Sequence, residues 1–138
     1  MILIIETPKS ILNTLQTVHG ANKISLTLLQ LFSNSKHTTI IIVSNLSIKE
    51  CKDYENHSGN KHKALYTNYT QLNKLLTLHN IVPDAGISFD IKLQALLSFR
   101  NLNNYKFPII GLIHSLGFQD HFNSMLSAQS MMQPFDQF

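Results

Sequence analysis

Residues 37–45 read HTTIIIVSN. Ile40 to Val43 are β-branched without a break, so the run has high strand propensity and no polar face. A strand open to water on one side alternates apolar and polar residues; a parallel strand covered on both faces does not. The run therefore predicts a central strand with helices above and below it, and it stops on Ser44 and Asn45.

The flanking sequence fits that placement. Upstream, Ile2 to Ile5 is a second short apolar run, halted at Glu6, and Thr7-Pro8 suits a helix start. Gly20 punctuates. Ile24, Leu28, Leu31 and Phe32, widened by Leu26 and Leu29, then carry the spacing of a helix packed on a sheet. Downstream, Leu46 to Lys63 is polar and predicts a surface loop with a short helix, and Ala64 to Tyr66 a short strand. Leu72, Leu75, Leu76 and His79 share a helical face, as do Leu93, Leu96, Leu97 and Arg100. Gly86–Phe89 and Phe107–Ile113 predict two more strands. Phe118, Phe122, Met125, Leu126 and Met132 mark a last helix ended by Pro134, and Phe135 to Phe138 resembles the start of a further strand.

Strands alternate with amphipathic helices and no hairpin signal intervenes. The pattern predicts right-handed βαβ units: an α/β, Rossmann-like, mainly parallel sheet with helices on both faces, in a single domain of 138 residues.

Composition narrows the function classes. Hydrophobic content of 43% with 14% charged residues excludes a disordered chain. The formal charge is +3, but the lysines are scattered and Arg100 is the lone arginine, which argues against nucleic-acid partners. Cys51 has no second cysteine, so neither a disulfide framework nor a cysteine zinc site is available, and a reducing, cytoplasmic setting is expected. The apolar start MILII is too short for a signal sequence, and no window approaches the roughly 20 apolar residues of a membrane span.

In open α/β sheets, ligands bind beyond the carboxyl ends of the strands. His114-Ser115-Leu116-Gly117 stands at such an end, before an expected helix. A helix start offers N–H groups to an anion or sugar hydroxyl, and a neutral imidazole can act as a base. Equally, Ser115 could simply cap the helix beside a partly buried His114. His19-Gly20-Ala21-Asn22-Lys23 precedes another helix, as a second cleft loop or as a plain turn with Asn22 as cap. Neither phosphate-binding glycine fingerprint is present, nor the serine elbow of hydrolases. Glu6 has no acidic companion, which weakens a phospho-acceptor reading. The spacing of Cys51, His57 and His62 fits no zinc pattern and suits a solvated loop. The residues thus call for no cofactor and no metal.

The stretch VPDAGISFDIKLQALLSFRNLNNYKFPIIGLIHSLGFQDHFNSMLSAQSMMQPFDQF, residues 82–138, resembles the N-terminal domain of bacterial glycosyltransferases of the two-Rossmann-domain (GT-B) type, group-1 family. The resembling pattern is a Pro-Asp, a helix, then the GLIHSL element and an amphipathic helix. HGANK at 19–23 followed by LLQLF at 28–32 also resembles that family's first cleft loop and helix. The resemblance implies that residues 1–138 form the acceptor-side domain, lacking the C-terminal donor-binding domain. His114 would be catalytic, and His19, Gly20, Asn22, Ser115 and Gly117 would line the cleft. The implied partners are a nucleotide-sugar and an acceptor in the intact enzyme and a C-terminal Rossmann domain or subunit, with no transferase activity expected from this chain alone. The alternative is a non-enzymatic α/β module that binds a nucleotide or a protein.

Overall fold

The computed structural model describes residues 1–9, 12, 27–28, 30–32, 34–57, 64–89, 93–112, 123 and 126–137. Five strands form one sheet: β1 (Ile2–Glu6), β2 (Thr39–Val43), β3 (Ala64–Thr67), β4 (Ala85–Ser88) and β5 (Ile109–Gly111). Their spatial order is β3-β2-β1-β4-β5, and all four pairings are parallel. Ile4 of β1 stands between Ile41 of β2 and Gly86 of β4, which fixes the register at the middle of the sheet. This is the doubly wound, Rossmann-type order, in which the winding direction reverses between β1 and β4.

The unbroken β-branched runs have the predicted cause. Ile40, Ile41, Ile42 and Val43 are fully buried, as are Ile4 and Ile5. Alternate side chains enter different cores, as the two-residue period of a strand requires. Leu3, Ile5, Ile40 and Ile42 face Leu28, Phe32, Leu46, Cys51 and Tyr54 on one side. Ile4, Ile41 and Val43 face Leu72, Leu76, Leu96 and Leu97 on the other.

Three helices are described in full: α1 (Ile48–His57), α2 (Tyr69–Leu78) and α3 (Gln94–Leu102). The polar stretch after β2, expected as a surface loop with a short helix, contains ten residues of helix. The cause is a capping box. The Ser47 hydroxyl accepts from Glu50 N, and Glu50 Oε2 accepts from Ser47 N (3.2 and 2.8 Å). Asn68 caps α2 through Gln71 N (3.0 Å).

β5 is shorter than the predicted 107–113 strand. Pro108 has no N–H to give, although its carbonyl accepts from Gly86 N (2.8 Å). The last turns follow the sequence reading in part: helix is described to residue 129, turn residues follow, and Gln137 makes a parallel bridge to Ile110. Gly111 N donates to the Gln137 carbonyl and Gln137 N to that of Ile109 (2.9 and 3.0 Å), so Gln137 adds one isolated bridge beside β5.

Among the described residues, no helix is long and apolar enough to cross a membrane.

Candidate functional site

Because every strand is parallel, all carboxyl ends lie along one edge of the sheet. A cavity of about 390 Å³ opens at that edge, within the range of roughly 300–1,000 Å³ usual for small-molecule sites. Glu6 and Thr7 line it from the end of β1, Val43 and Ser44 from the end of β2, and Asn68 and Tyr69 from the start of α2. It therefore sits beside the point where the winding reverses, the expected place for a ligand in such a sheet.

Glu6 is the acidic residue at its floor, and it is only 7% exposed. Tyr69 Oη donates to Glu6 Oε1 at 2.5 Å, and Ser88 Oγ, at the end of β4, donates to Oε2 at 2.6 Å. Each carboxyl oxygen thus has a hydroxyl beside it. The Phe89 N–H binds the Glu6 carbonyl (2.9 Å), so the reversal point is stitched by main chain as well.

Thr7 and Ser44 hold the same edge through their backbones. Thr7 N donates to Val43 O (3.0 Å), and Ser44 N to Thr67 O (3.1 Å). Their hydroxyls differ from every other described buried side chain: Thr7 Oγ1 and Ser44 Oγ are closed off from water and have no hydrogen-bond partner. A buried hydroxyl without a partner costs about 1–3 kcal/mol. Ser44→Ala should therefore raise the stability of the ligand-free protein by about 1 kcal/mol, read as a higher urea midpoint at unchanged slope.

At the rim, Lys9 Nζ lies 2.5 Å from Glu50 Oε1. Hydrogen bonds from Lys9 and from Ser47 hold the Glu50 carboxyl down at about 2, below its usual 4.5, and the same contact with Glu50 raises Lys9 above 10.5. A lowered carboxylate stabilises the fold fully above pH 4.5 and loses that contribution as pH falls toward 2; a raised ammonium loses its contribution above pH 10.5. The pair is solvent-exposed, so its effect should be small and screened by salt. Glu50→Gln should flatten the decline in thermal stability below pH 4.5, a difference that shrinks in 1 M NaCl.

The residues singled out from sequence, His19, Gly20, Asn22, His114, Ser115 and Gly117, lie outside the described residues. The strand leading to His114 does end at this edge, since β5 runs parallel to its neighbours and closes at Gly111. Sequence reading set Glu6 aside as a phospho-acceptor and gave Thr7 and Ser44 no part in a site. Their signal was present: each follows or ends a buried apolar run at a strand's carboxyl end. Tyr69 left no such mark, because its approach to Glu6 depends on α2 crossing back over the sheet.

Fold and site together define a Rossmann-like α/β domain with a polar-floored crevice at its reversal point. No family model matches the chain, and no curated protein matches it. Among solved structures, it is similar to a dodecameric FMN-dependent UbiX-like decarboxylase from Escherichia coli O157:H7, with a TM-score of 0.52 and 14% identity, over 95% of this chain and 76% of that one. A likeness at that identity shows the fold.

It also corrects the glycosyltransferase expectation. The fold is similar to that of an FMN-dependent decarboxylase, so the reading of a glycosyltransferase fragment, with a nucleotide-sugar, an acceptor and a C-terminal Rossmann domain or subunit as partners, is overturned. The Rossmann-like part of the resemblance stands, because the described strands form one five-stranded parallel sheet.

Proposed function

We propose that this chain binds a flavin mononucleotide-type cofactor, a flat ring carrying a hydroxylated, phosphorylated chain, in the crevice beyond β1 and β2. The observation that carries the proposal is the pair of partnerless buried hydroxyls, Thr7 Oγ1 and Ser44 Oγ, on residues that line the cavity. The fold's likeness to an FMN-dependent protein supplies the ligand class.

The residues present suit such a group. Val43, Leu46 and Pro8 give apolar surface for a ring, while Thr7, Ser44 and Asn45 offer hydrogen bonds to hydroxyls. Lys9 lines the same cavity and brings positive charge for a phosphate. The side-chain caps on α1 and α2 already occupy N–H groups at those helix starts, so neither terminus is the main anion site. When bound, a flavin supplies electron-transfer chemistry that no side chain offers. The protein's part is to hold it, exclude water around it and set its hydrogen bonds.

Titrating the ligand-free protein into FMN while following flavin fluorescence tests this. Saturable, one-to-one quenching with micromolar or tighter affinity is expected. Ser44→Ala should weaken it by about 2–10-fold, the value of one net hydrogen bond. No saturation at millimolar protein would end the proposal.

A further inference from the structure

Lys9 is the one cation among the described residues that line the cavity, and its ammonium is already engaged by Glu50. Glu50 belongs to the first turn of α1 and does not itself line the cavity. Its two carboxyl oxygens have different duties. Oε2 accepts from Ser47 N (2.8 Å) and closes the capping box, while Oε1 meets Lys9 Nζ at 2.5 Å. The cap therefore holds the carboxylate in place whether or not Lys9 stays on it. Both groups are charged at neutral pH, since Glu50 is held down at about 2 and Lys9 is raised above 10.5.

The contact is also easy to leave. The two side chains are 42% and 37% exposed, and water competes for both ends of so open an ion pair. Lysine carries a point charge on a flexible four-carbon stem, so the ammonium can pass from one anion to another without moving the backbone. A phosphate monoester at pH 7 bears roughly −1.5 to −2 charges on three acceptor oxygens. It outcompetes a single carboxylate that has one oxygen committed to a cap.

We infer that Lys9 and Glu50 form an exchangeable latch: Lys9 leaves Glu50 for the phosphate of a bound mononucleotide, and Glu50 limits how strongly the site prefers a phosphorylated ligand to its dephosphorylated form. This rests on the flavin-type reading above and adds to it the residue pair that sets phosphate selectivity. Lys9 touches the ligand; Glu50 acts through Lys9.

FMN and riboflavin differ only in the phosphate, so their affinities separate the alternatives. Both are measured by fluorescence quenching for wild type, Lys9→Gln, Glu50→Gln and the double variant, with circular dichroism melts confirming that each is folded. Glutamine at 50 keeps the capping box and removes only the charge. Wild type should favour FMN. Lys9→Gln should weaken FMN about 3–10-fold, toward the riboflavin value. Glu50→Gln should tighten FMN by about 2–5-fold, the worth of releasing one exposed ion pair, and the gain should shrink in 1 M NaCl. Riboflavin should be unchanged in every variant. In the Lys9→Gln background, Glu50→Gln should give no further gain.

A gain that persists without Lys9 would overturn the inference, because Glu50 would then act on the phosphate as a distant charge. Equal changes for FMN and riboflavin would overturn it by giving Lys9 a role at the rim unrelated to phosphate. So would FMN affinity that matches riboflavin in wild type, or that neither single variant alters. These results leave the flavin reading standing, whereas wild-type protein that binds neither compound overturns both.

Discussion

Asp136→Ala is expected to destabilise the protein by about 3–5 kcal/mol, as removal of one partner from a buried ion pair does. The Arg100 and Asp136 side chains are both fully buried and paired through Nη1 and Oδ1. The same carboxylate also accepts from Ile109 N (2.8 Å) and Gln133 N (2.7 Å), so it ties α3, β5 and the last turn together. Its removal strands two backbone donors and a buried cation. What remains around Arg100 among the described residues is neutral: the Met131 and Phe107 carbonyls (3.2 and 3.4 Å), Asn101 Oδ1 (3.1 Å) and the Phe135 ring at 5.6 Å. A chevron or urea titration measures the loss. Replacing both partners, Arg100→Met with Asp136→Leu, should recover much of it, because the desolvated charge leaves with its partner. A single-variant loss under 1 kcal/mol would show that the pair is relieved by water.

That ion pair marks where sequence stopped being informative. Arg100 shares its helical spacing with Leu93, Leu96 and Leu97, so its burial was legible from the period alone. Its partner was not, since Asp136 lies 36 positions away and reaches Arg100 only after the last turn has folded back. The strands were readable for a local reason: β-branched runs with no polar face have few other stable environments. Even the weak Ala64–Tyr66 signal proved to be a strand, Ala64–Thr67, at the sheet edge. The site was legible only as a rule about sheet ends. That rule applied to all five strands, and a histidine drew the eye to β5. Among the described residues the polar floor is Glu6, which meets Ser88, 82 positions away, through the sheet order. The glycosyltransferase resemblance failed for a related reason. Motifs that record strand–loop–helix grammar report the fold and are shared by folds of many functions.

Leu96→Ala should cost about 2–5 kcal/mol, the range for a fully buried leucine, and it also shows why β4 carries a glycine. Leu96 packs from α3 onto the sheet directly over Gly86. A methyl group added at Gly86 would stand 3.0 Å from Phe107 Cε2, 3.1 Å from Leu96 Cδ2 and 3.2 Å from Ile109 Cγ1. Those three contacts come from two separate segments, α3 and the Phe107–Ile109 stretch, so no single side-chain movement relieves them. Gly86→Ala alone is accordingly expected to destabilise by about 1–3 kcal/mol through overpacking. The two changes oppose each other in volume: one opens space where the other needs it. The double variant Gly86→Ala with Leu96→Ala should therefore be more stable than the sum of the single losses by about 0.5–3 kcal/mol, the coupling found between residues in contact. Equilibrium urea unfolding of the four proteins gives the cycle. Strict additivity would mean that α3 does not press on β4 at this point. The remaining contact with Phe107 at 3.0 Å should keep the double variant below wild type, since alanine at 96 does nothing to move that ring.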